Sequence, residues 1–259
     1  MNAESLSNLL EFATDLAWRA GRITLAHFQT DVVVERKTDT SPVTLADRQA
    51  ERLLRQRIAN QFPDDGIVGE EFGAVREAAR RRWIIDPIDG TRAFVRGVPL
   101  FGVLIALELD GDALIGVIHL PALQETLCAA RDLGCWWNSR RARASTTSDL
   151  AHALILTTDF NRADHPAQRP GWERLCARSE LCRTWGDCYG YTLVATGRAE
   201  AMIDPSLSIW DAAAVAPIIT EAGGLISDLD GKPSYSNGSL VATNAPLGHD
   251  IRALLRAAP

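Results

Sequence analysis

Residues Trp83 to Thr91 read W-I-I-D-P-I-D-G-T. A short apolar strand leads into two carboxylates three positions apart, then a glycine and a threonine. Mg2+ takes near-octahedral oxygen coordination from one or two carboxylates, substrate phosphate oxygens and water, and Asp86 and Asp89 supply such oxygens. Pro87 fixes its own φ and biases Asp86 away from the helical region. This predicts a sharp turn where Trp83 to Ile85 leave a sheet, with the two carboxylates convergent. Gly90 permits close approach of backbone to a ligand, and the Gly90 and Thr91 N–H groups can meet an anion if a turn or helix begins there. The Thr91 hydroxyl can orient a water. Because D-P-x-D followed by glycine is also ordinary type I turn chemistry, the motif acquires meaning only from its context.

Three other segments supply that context. Ile67 to Gly73 (I-V-G-E-E-F-G) places Glu70 and Glu71 directly after an apolar run, and a cation is one reason for adjacent like charges. Ile209-Trp210-Asp211 opens an apolar stretch that reads as a helix starting at Asp211 and stopped by Gly223-Gly224, with a kink at Pro217. Asp211 alone fits an N-cap. Ser41 to Asp47 (S-P-V-T-L-A-D) starts a helical pattern with Thr44 and Asp47 in capping-box spacing.

The chain has 259 residues, enough to bury roughly three quarters of its unfolded surface in one large domain over 1–259 or two closely joined lobes parting near 145–152. Charged residues make up 23% and hydrophobic ones 46%, ordinary globular values. A net charge of -6 argues against electrostatic nucleic-acid binding, and Arg80-Arg81-Arg82 and Arg140-Arg141 read as solvated loops. The five cysteines, without C-x-x-C spacing, indicate neither a disulfide framework nor a zinc site. A reduced, cytoplasmic setting is the expectation, since no signal sequence or membrane span is apparent. The histidines (His27, His119, His152, His165, His249) fall outside every motif and read as surface or packing residues.

Leu6, Leu9, Leu10, Ala13, Leu16, Ala17, Ala20 and Ile23 recur at helical spacing, and a second helix is predicted from Leu45 to Phe62. L-F-G-V-L-I-A-L-E-L and A-L-I-G-V-I-H-L flank Asp110-Gly111 and predict a hairpin; T-L-C-A-A-R and G-C-W-W-N continue a meander. The second half alternates: a strand at Ala153 to Thr157, a helix from Cys188 to Thr196, a strand at Glu200 to Ile203, the Asp211 helix, strands at Leu225 to Ser227 and Leu240 to Thr243, and a closing helix. The fold class is α/β in layers with a largely antiparallel first sheet.

G-E-E-F-G, W-I-I-D-P-I-D-G-T-R-A-F and W-D-A-A-A-V-A-P-I-I-T-E-A-G-G, in this order and spread between Ser41 and Asn244, resemble the inositol monophosphatase family of Mg2+-dependent phosphatases. The resemblance implies a sandwich of alternating helix and sheet layers and metal ligation by Glu70, Asp86, Asp89, Asp211 and the Ile88 carbonyl. It implies phosphate contacts from Gly90 and Thr91, water activation by Thr91 and Glu70 with Asp47 behind them, Li+ sensitivity and a homodimer. The family often carries Asn two places after the motif threonine, where this chain has Ala93. Charge counting adds that the four carboxylates repel a phosphate dianion unless two Mg2+ cancel them, with a third leaving a net positive site.

Within the family, G-D-C-Y-G-Y (Gly186 to Tyr191) and R-G-V-P-L-F-G look more like the histidinol-phosphate phosphatase branch than the inositol branch. Asp187 adds a carboxylate beyond those the metals need, and Asp204, seven residues before Asp211, adds another on the leaving-group side. Both suit the ammonium and imidazole of a small-molecule phosphate ester such as L-histidinol phosphate. Asp187 also fits a helix cap, and in the wider family the Asp204 position is a polyol acceptor. Alternatives are an inositol monophosphatase, a nucleotide or sugar bisphosphatase, or a metal-binding regulatory protein without turnover.

Overall fold

A computed structural model describes residues 3–31, 33–36, 42–159 and 169–256; Ser41 and His165 lie outside them. Helix α1 (Ala3–His27) buries the apolar face that its spacing predicts. An antiparallel ribbon of an exposed β1 (Val34–Arg36) and a largely buried β2 (Pro42–Thr44), each too short to announce itself, follows. Helix α2 (Leu45–Gln61) begins at the capping box of Thr44 and Asp47.

The first sheet is built from β3 (Gly66–Gly69), β4 (Gly73–Val75), β5 (Arg81–Asp89), then β6 (Gly102–Leu109) after the short helix α3 (Thr91–Phe94), β7 (Asp112–Leu120), β8 (Glu125–Ala130), β9 (Gly134–Trp137) and β10 (Arg140–Arg141). Its order is β10-β9-β8-β7-β6-β5-β3-β4, antiparallel except where β3 runs parallel to β5. The Asp110-Gly111 hairpin turn has φ of +53° and +90°, the left-handed pair that matches the twist of the flanking strands. Trp83, Ile85, Val103, Ile105, Leu107, Ile115 and Val117 pack against α1 and α2. The alternate residues Ile84, Leu104, Ala106 and Ile118 pack on the opposite face. Burial on both faces explains why these strands read as unbroken apolar runs.

Two expectations for this half change. The chain does not leave the sheet at Ile85: β5 continues to Asp89, with Asp86 opposite Leu104 and Asp89 opposite Gly102. One extra residue is thus accommodated at Pro87, which has no N–H for the ladder and is tolerated at such a bulge. Nor are the arginine clusters wholly loops: Arg81 and Arg82 belong to β5 and Arg140 and Arg141 form β10, while Arg80, Arg140 and Arg141 are exposed as expected. Arg80 pairs with Asp110 at 2.6 Å, Arg81 with Asp65 at 2.8 Å, and Arg82 with Glu108, while Arg140 and Arg141 lie over the rings of Trp137 and Trp136.

Beyond the crossing at 142–153 come β11 (Leu154–Leu156), α4 (Arg169–Arg178), β12 (Leu181–Arg183), α5 (Asp187–Ala195), β13 (Ala201–Asp204), α6 (Ile209–Ala212), α7 (Val215–Glu221), β14 (Leu225–Ser227), β15 (Leu240–Thr243) and α8 (Gly248–Arg256). The second sheet has the order β12-β11-β13-β15-β14, with β11 parallel to both β12 and β13. Residues of α5 and α7 fill the space between the two sheets, and α4 and α8 cover the outer face of the second. The layers therefore run helix, sheet, helix, sheet, helix. No helix among the described residues is long and apolar enough to cross a membrane.

The helix expected from Asp211 to Gly223 is two helices that break at Ala213 and Ala214. Pro217 cannot donate to the carbonyl four residues back, and its ring crowds that carbonyl; Ala213 is that residue. Gly116 on β7 leaves room for the Ala214 carbonyl, which a Cβ there would overlap. Cys176 and Cys182 are joined in a disulfide between α4 and β12, contrary to the expectation of none, because both elements that align them went unrecognised in the sequence.

Candidate active site

The bulge of β5 sets the floor of a cleft. Asp86 is almost fully buried, and its Oδ1 accepts the Ile88 N–H at 2.9 Å. The Thr91 hydroxyl donates to the Ile88 carbonyl at 2.9 Å. Gly90 turns the chain with φ of +85°, and a Cβ there would stand 2.8 Å from the Leu100 carbonyl, so both conformation and space require glycine. Asp89 reaches across to α5 and accepts the Cys188 N–H. Asp211 is the third residue of α6, not its N-cap: Ser208 is the cap, and Asp211 Oδ2 accepts the Ser208 N–H at 2.7 Å.

Asp86, Asp89 and Asp211 each bring a carboxylate oxygen within 4.8 Å of the others. Burial first, then the charges of Glu70, Asp89 and Asp211, push the Asp86 carboxyl well up. Burial, Asp187 and Asp211 do the same to Asp89. Asp211 rises to about 7, mainly through burial and against the Ser208 N–H that favours its anion. Such buried like charges are costly unless protons or a cation offset them. An all-oxygen donor set with this convergence suits Mg2+.

Glu70 follows β3 and lines the same cleft. Its loop is held by Glu51 of α2, a fully buried residue that sequence reasoning missed. Glu51 accepts the Glu71 N–H at 2.7 Å and the Phe72 N–H at 3.2 Å, and pairs with Arg55 at 2.7 Å. The available signal was an acidic residue among Ala46, Ala50, Leu54 and Ile58 on the buried face of α2. Asp47 keeps its capping role, with Oδ2 taking the Thr44 N–H at 2.7 Å and the Thr44 hydroxyl at 2.6 Å. Its Oδ1 is buried without a hydrogen bond, and burial, aided by the charge of Glu70, raises its pKa. Asp47, Asp86 and Ile88 are not among the residues lining the cleft.

The opposite wall comes from the second sheet. Asp187 is the first residue of α5, and Gly186, not Asp187, occupies the cap position. The backbone of Asp187 is left-handed, φ +49°, its N–H donates to Thr158 Oγ1 at 2.9 Å, and its Oδ2 lies 3.2 Å from where a Gly90 side-chain carbon would stand. The capping expectation therefore gives way to a carboxylate turned toward the floor. Asp204 ends β13 and accepts the Thr158 N–H at 3.1 Å and the Tyr191 O–H at 2.8 Å.

Glu70, Asp89, Gly90, Thr91, Asp187, Asp204 and Asp211 thus share a cleft of about 220 Å3, closed further by Pro42, Arg92, Thr158, Asp159, Tyr191, Ser206 and Leu207. No histidine among the described residues lines it. His119 is buried against Thr126 and Trp18, and burial lowers its pKa to about 4. Cys188 is a buried residue of α5.

The sequence pattern of the inositol monophosphatase family matches residues 5–257. Among curated relatives, a histidinol-phosphatase of Chlorobaculum parvum is 44% identical, covering 95% of this chain and 96% of its own length. A histidinol-phosphatase of Mycobacterium tuberculosis is 38% identical, covering 96% and 98%. Among solved structures, the extragenic suppressor protein suhB of Bartonella henselae superposes with a TM-score of 0.92 over 97% of this chain and 100% of its own, at 28% identity.

Proposed function

This chain belongs to the inositol monophosphatase family, and we propose from that premise that it hydrolyses L-histidinol phosphate to L-histidinol and phosphate in a Mg2+-dependent reaction. The observation that carries the proposal is the convergence of Asp86, Asp89 and Asp211 at the cleft floor, with Asp86 buried behind Asp89 and Asp211, and an acidic wall opposite. In this reading those three carboxylates, Glu70 and the Ile88 carbonyl hold two or three Mg2+. Bound there, Mg2+ supplies charge to offset the phosphoryl oxygens and the leaving alkoxide, and lowers the pKa of a bound water.

The rest falls to the chain's own groups. The Gly90 and Thr91 amides receive the phosphate. Thr91, whose proton is engaged by the Ile88 carbonyl, offers its hydroxyl oxygen to the attacking water. Glu70, backed by Asp47, takes the proton as water oxygen bonds to phosphorus and the ester P–O bond breaks. The departing alkoxide takes a proton from a solvent water and leaves as the alcohol, and Glu70 returns its proton to solvent. Asp187 and Asp204 face the leaving group, where an ammonium and an imidazole meet their charge. The full-length similarity to two histidinol-phosphatases supports this substrate over a polyol phosphate. Because the cleft takes residues from both sheets, we treat 1–259 as one catalytic unit of two joined lobes.

The test is phosphate release from histidinol phosphate, inositol 1-phosphate, fructose bisphosphate and adenosine bisphosphate, with Mg2+ and with a chelator. The expected result is the highest kcat/KM on histidinol phosphate and loss of turnover on chelation. Equal or greater kcat/KM on inositol 1-phosphate, or chelator-resistant turnover, would overturn the reading.

A further inference from the structure

We infer that Thr158 and Tyr191 are specificity-determining positioning residues: together they fix the two carboxylates, Asp187 and Asp204, that meet the leaving group. The inference rests on the histidinol-phosphate reading above and deepens it.

The argument begins in the second sheet. Because β11 runs parallel to β12 and β13, all three strands end at the same edge, where ligands of parallel sheets collect. Leu156 is in register with Met202 and with Arg183. Two residues further on, Thr158 therefore stands between Asp204 at the end of β13 and the segment leading into α5. It uses both of its polar backbone and side-chain groups there. Its N–H donates to Asp204 Oδ1 at 3.1 Å, and its Oγ1 accepts the Asp187 N–H at 2.9 Å. The second bond supports Asp187 in a left-handed conformation, φ +49°, which Asp adopts more readily than most L residues. Tyr191, one turn into α5 and buried, donates its O–H to the other Asp204 oxygen at 2.8 Å. Thr158 and Tyr191 thus place one donor on each oxygen of Asp204 and set the plane of its carboxylate. Cys188, the next residue after Asp187, gives its N–H to Asp89, so the same turn of chain sets the acidic wall against the floor.

Three variants test this: Tyr191→Phe, which removes only the O–H; Thr158→Val, which keeps the shape and removes the acceptor; and Thr158→Ser, which keeps the acceptor. The readout is the ratio of kcat/KM on histidinol phosphate to that on phenyl phosphate, an ester with neither cation nor hydroxyl. Tyr191→Phe, which loses a hydrogen bond to a charged group, and Thr158→Val, which releases the backbone N–H that holds Asp187 in its left-handed turn, are each expected to lower that ratio about tenfold, chiefly through KM for histidinol phosphate. Thr158→Ser should restore it, with melting temperatures and Mg2+ dependence close to wild type in all three. Parallel losses on both esters, or an unchanged ratio in both disruptive variants, would overturn the inference. A wild-type enzyme that prefers inositol 1-phosphate would instead remove the substrate reading beneath it, so the two failures are distinguishable.

Discussion

The two walls of the cleft are built by opposite means. On the floor most of the candidate groups are held by neighbours in sequence: Asp86 by the Ile88 N–H, Thr91 by the Ile88 carbonyl, Asp211 by the Ser208 N–H and Asp47 by Thr44. The Glu70 loop, held by Glu51 from 20 residues away, and Asp89, held by Cys188, are the exceptions. On the facing wall the partners are far apart in the chain: Thr158 with Asp187, Thr158 with Asp204, and Cys188 with Asp89, separated by 29, 46 and 99 residues. Local bonding makes the floor a portable motif. Long-range bonding makes the wall a product of how the second sheet is assembled, with Cys188 N–H on Asp89 joining it to the floor.

If the floor performs the chemistry, damage there should be the most severe. Asp89→Asn or Asp211→Asn is expected to lower kcat on the order of a thousandfold, about 4 kcal/mol, on every ester tested. The variants should stay folded by circular dichroism, because each loses a buried like charge and little packing. Near-normal turnover at saturating Mg2+ in both would break the distinction between floor and wall.

A wall substitution should act on one substrate. Asp187→Asn keeps shape and removes charge, and is expected to cost roughly ten- to a hundredfold in kcat/KM on histidinol phosphate. A neutral ester should lose far less. Equal losses on both would assign Asp187 to structure.

The same contrast explains what could be read from the chain alone. The apolar runs of β6 and β7 and the Asp110-Gly111 turn announced the hairpin, because a two-sided core and a left-handed turn each leave a local signature. Asp86, Asp89, Gly90 and Thr91 were legible for the same reason. The bulge at Pro87 was not, since a proline after an aspartate is equally good turn chemistry and only pairing with β6 keeps the strand going. Asp211 was found but placed at the wrong helical position, because Ser208 bonds back to it from outside the apolar stretch. Thr158 and Tyr191 left no local trace: their partners become neighbours only when β11, β13 and α5 meet. Glu51 left one, an acid on an apolar helix face, which was overlooked.

Glu51 gives a smaller test of floor construction. Glu51→Gln replaces one accepting oxygen with a donor, so one of the Glu71 and Phe72 N–H groups loses its partner. The expected cost is about 1–3 kcal/mol in urea unfolding, with a raised Mg2+ requirement as the Glu70 loop loosens. Unchanged stability and Mg2+ dependence would show that the loop holds itself.

The smallest effect is a pH dependence of stability in metal-free protein. The raised carboxyls of Asp86, Asp89 and Asp211 hold protons in the folded state that the unfolded chain has released above about pH 4. The unfolded state therefore binds fewer protons, and this contribution to stability falls as pH rises from about 4 through the Asp211 value of about 7. Mg2+ offsets the same charges, so its stabilising shift in melting temperature should widen by a few degrees between pH 5 and pH 8. A shift constant across that range would mean that the carboxylates titrate without regard to one another.

The central claim is that Asp86, Asp89 and Asp211 converge because they hold a divalent cation. Diffraction from crystals soaked in Mn2+, recorded for anomalous scattering, tests it most directly. The account predicts at least one anomalous peak in contact with carboxylate oxygens of these three residues, lost in Asp89→Asn crystals. An empty floor in fully soaked wild-type crystals, with the three carboxylates still converged, would contradict it.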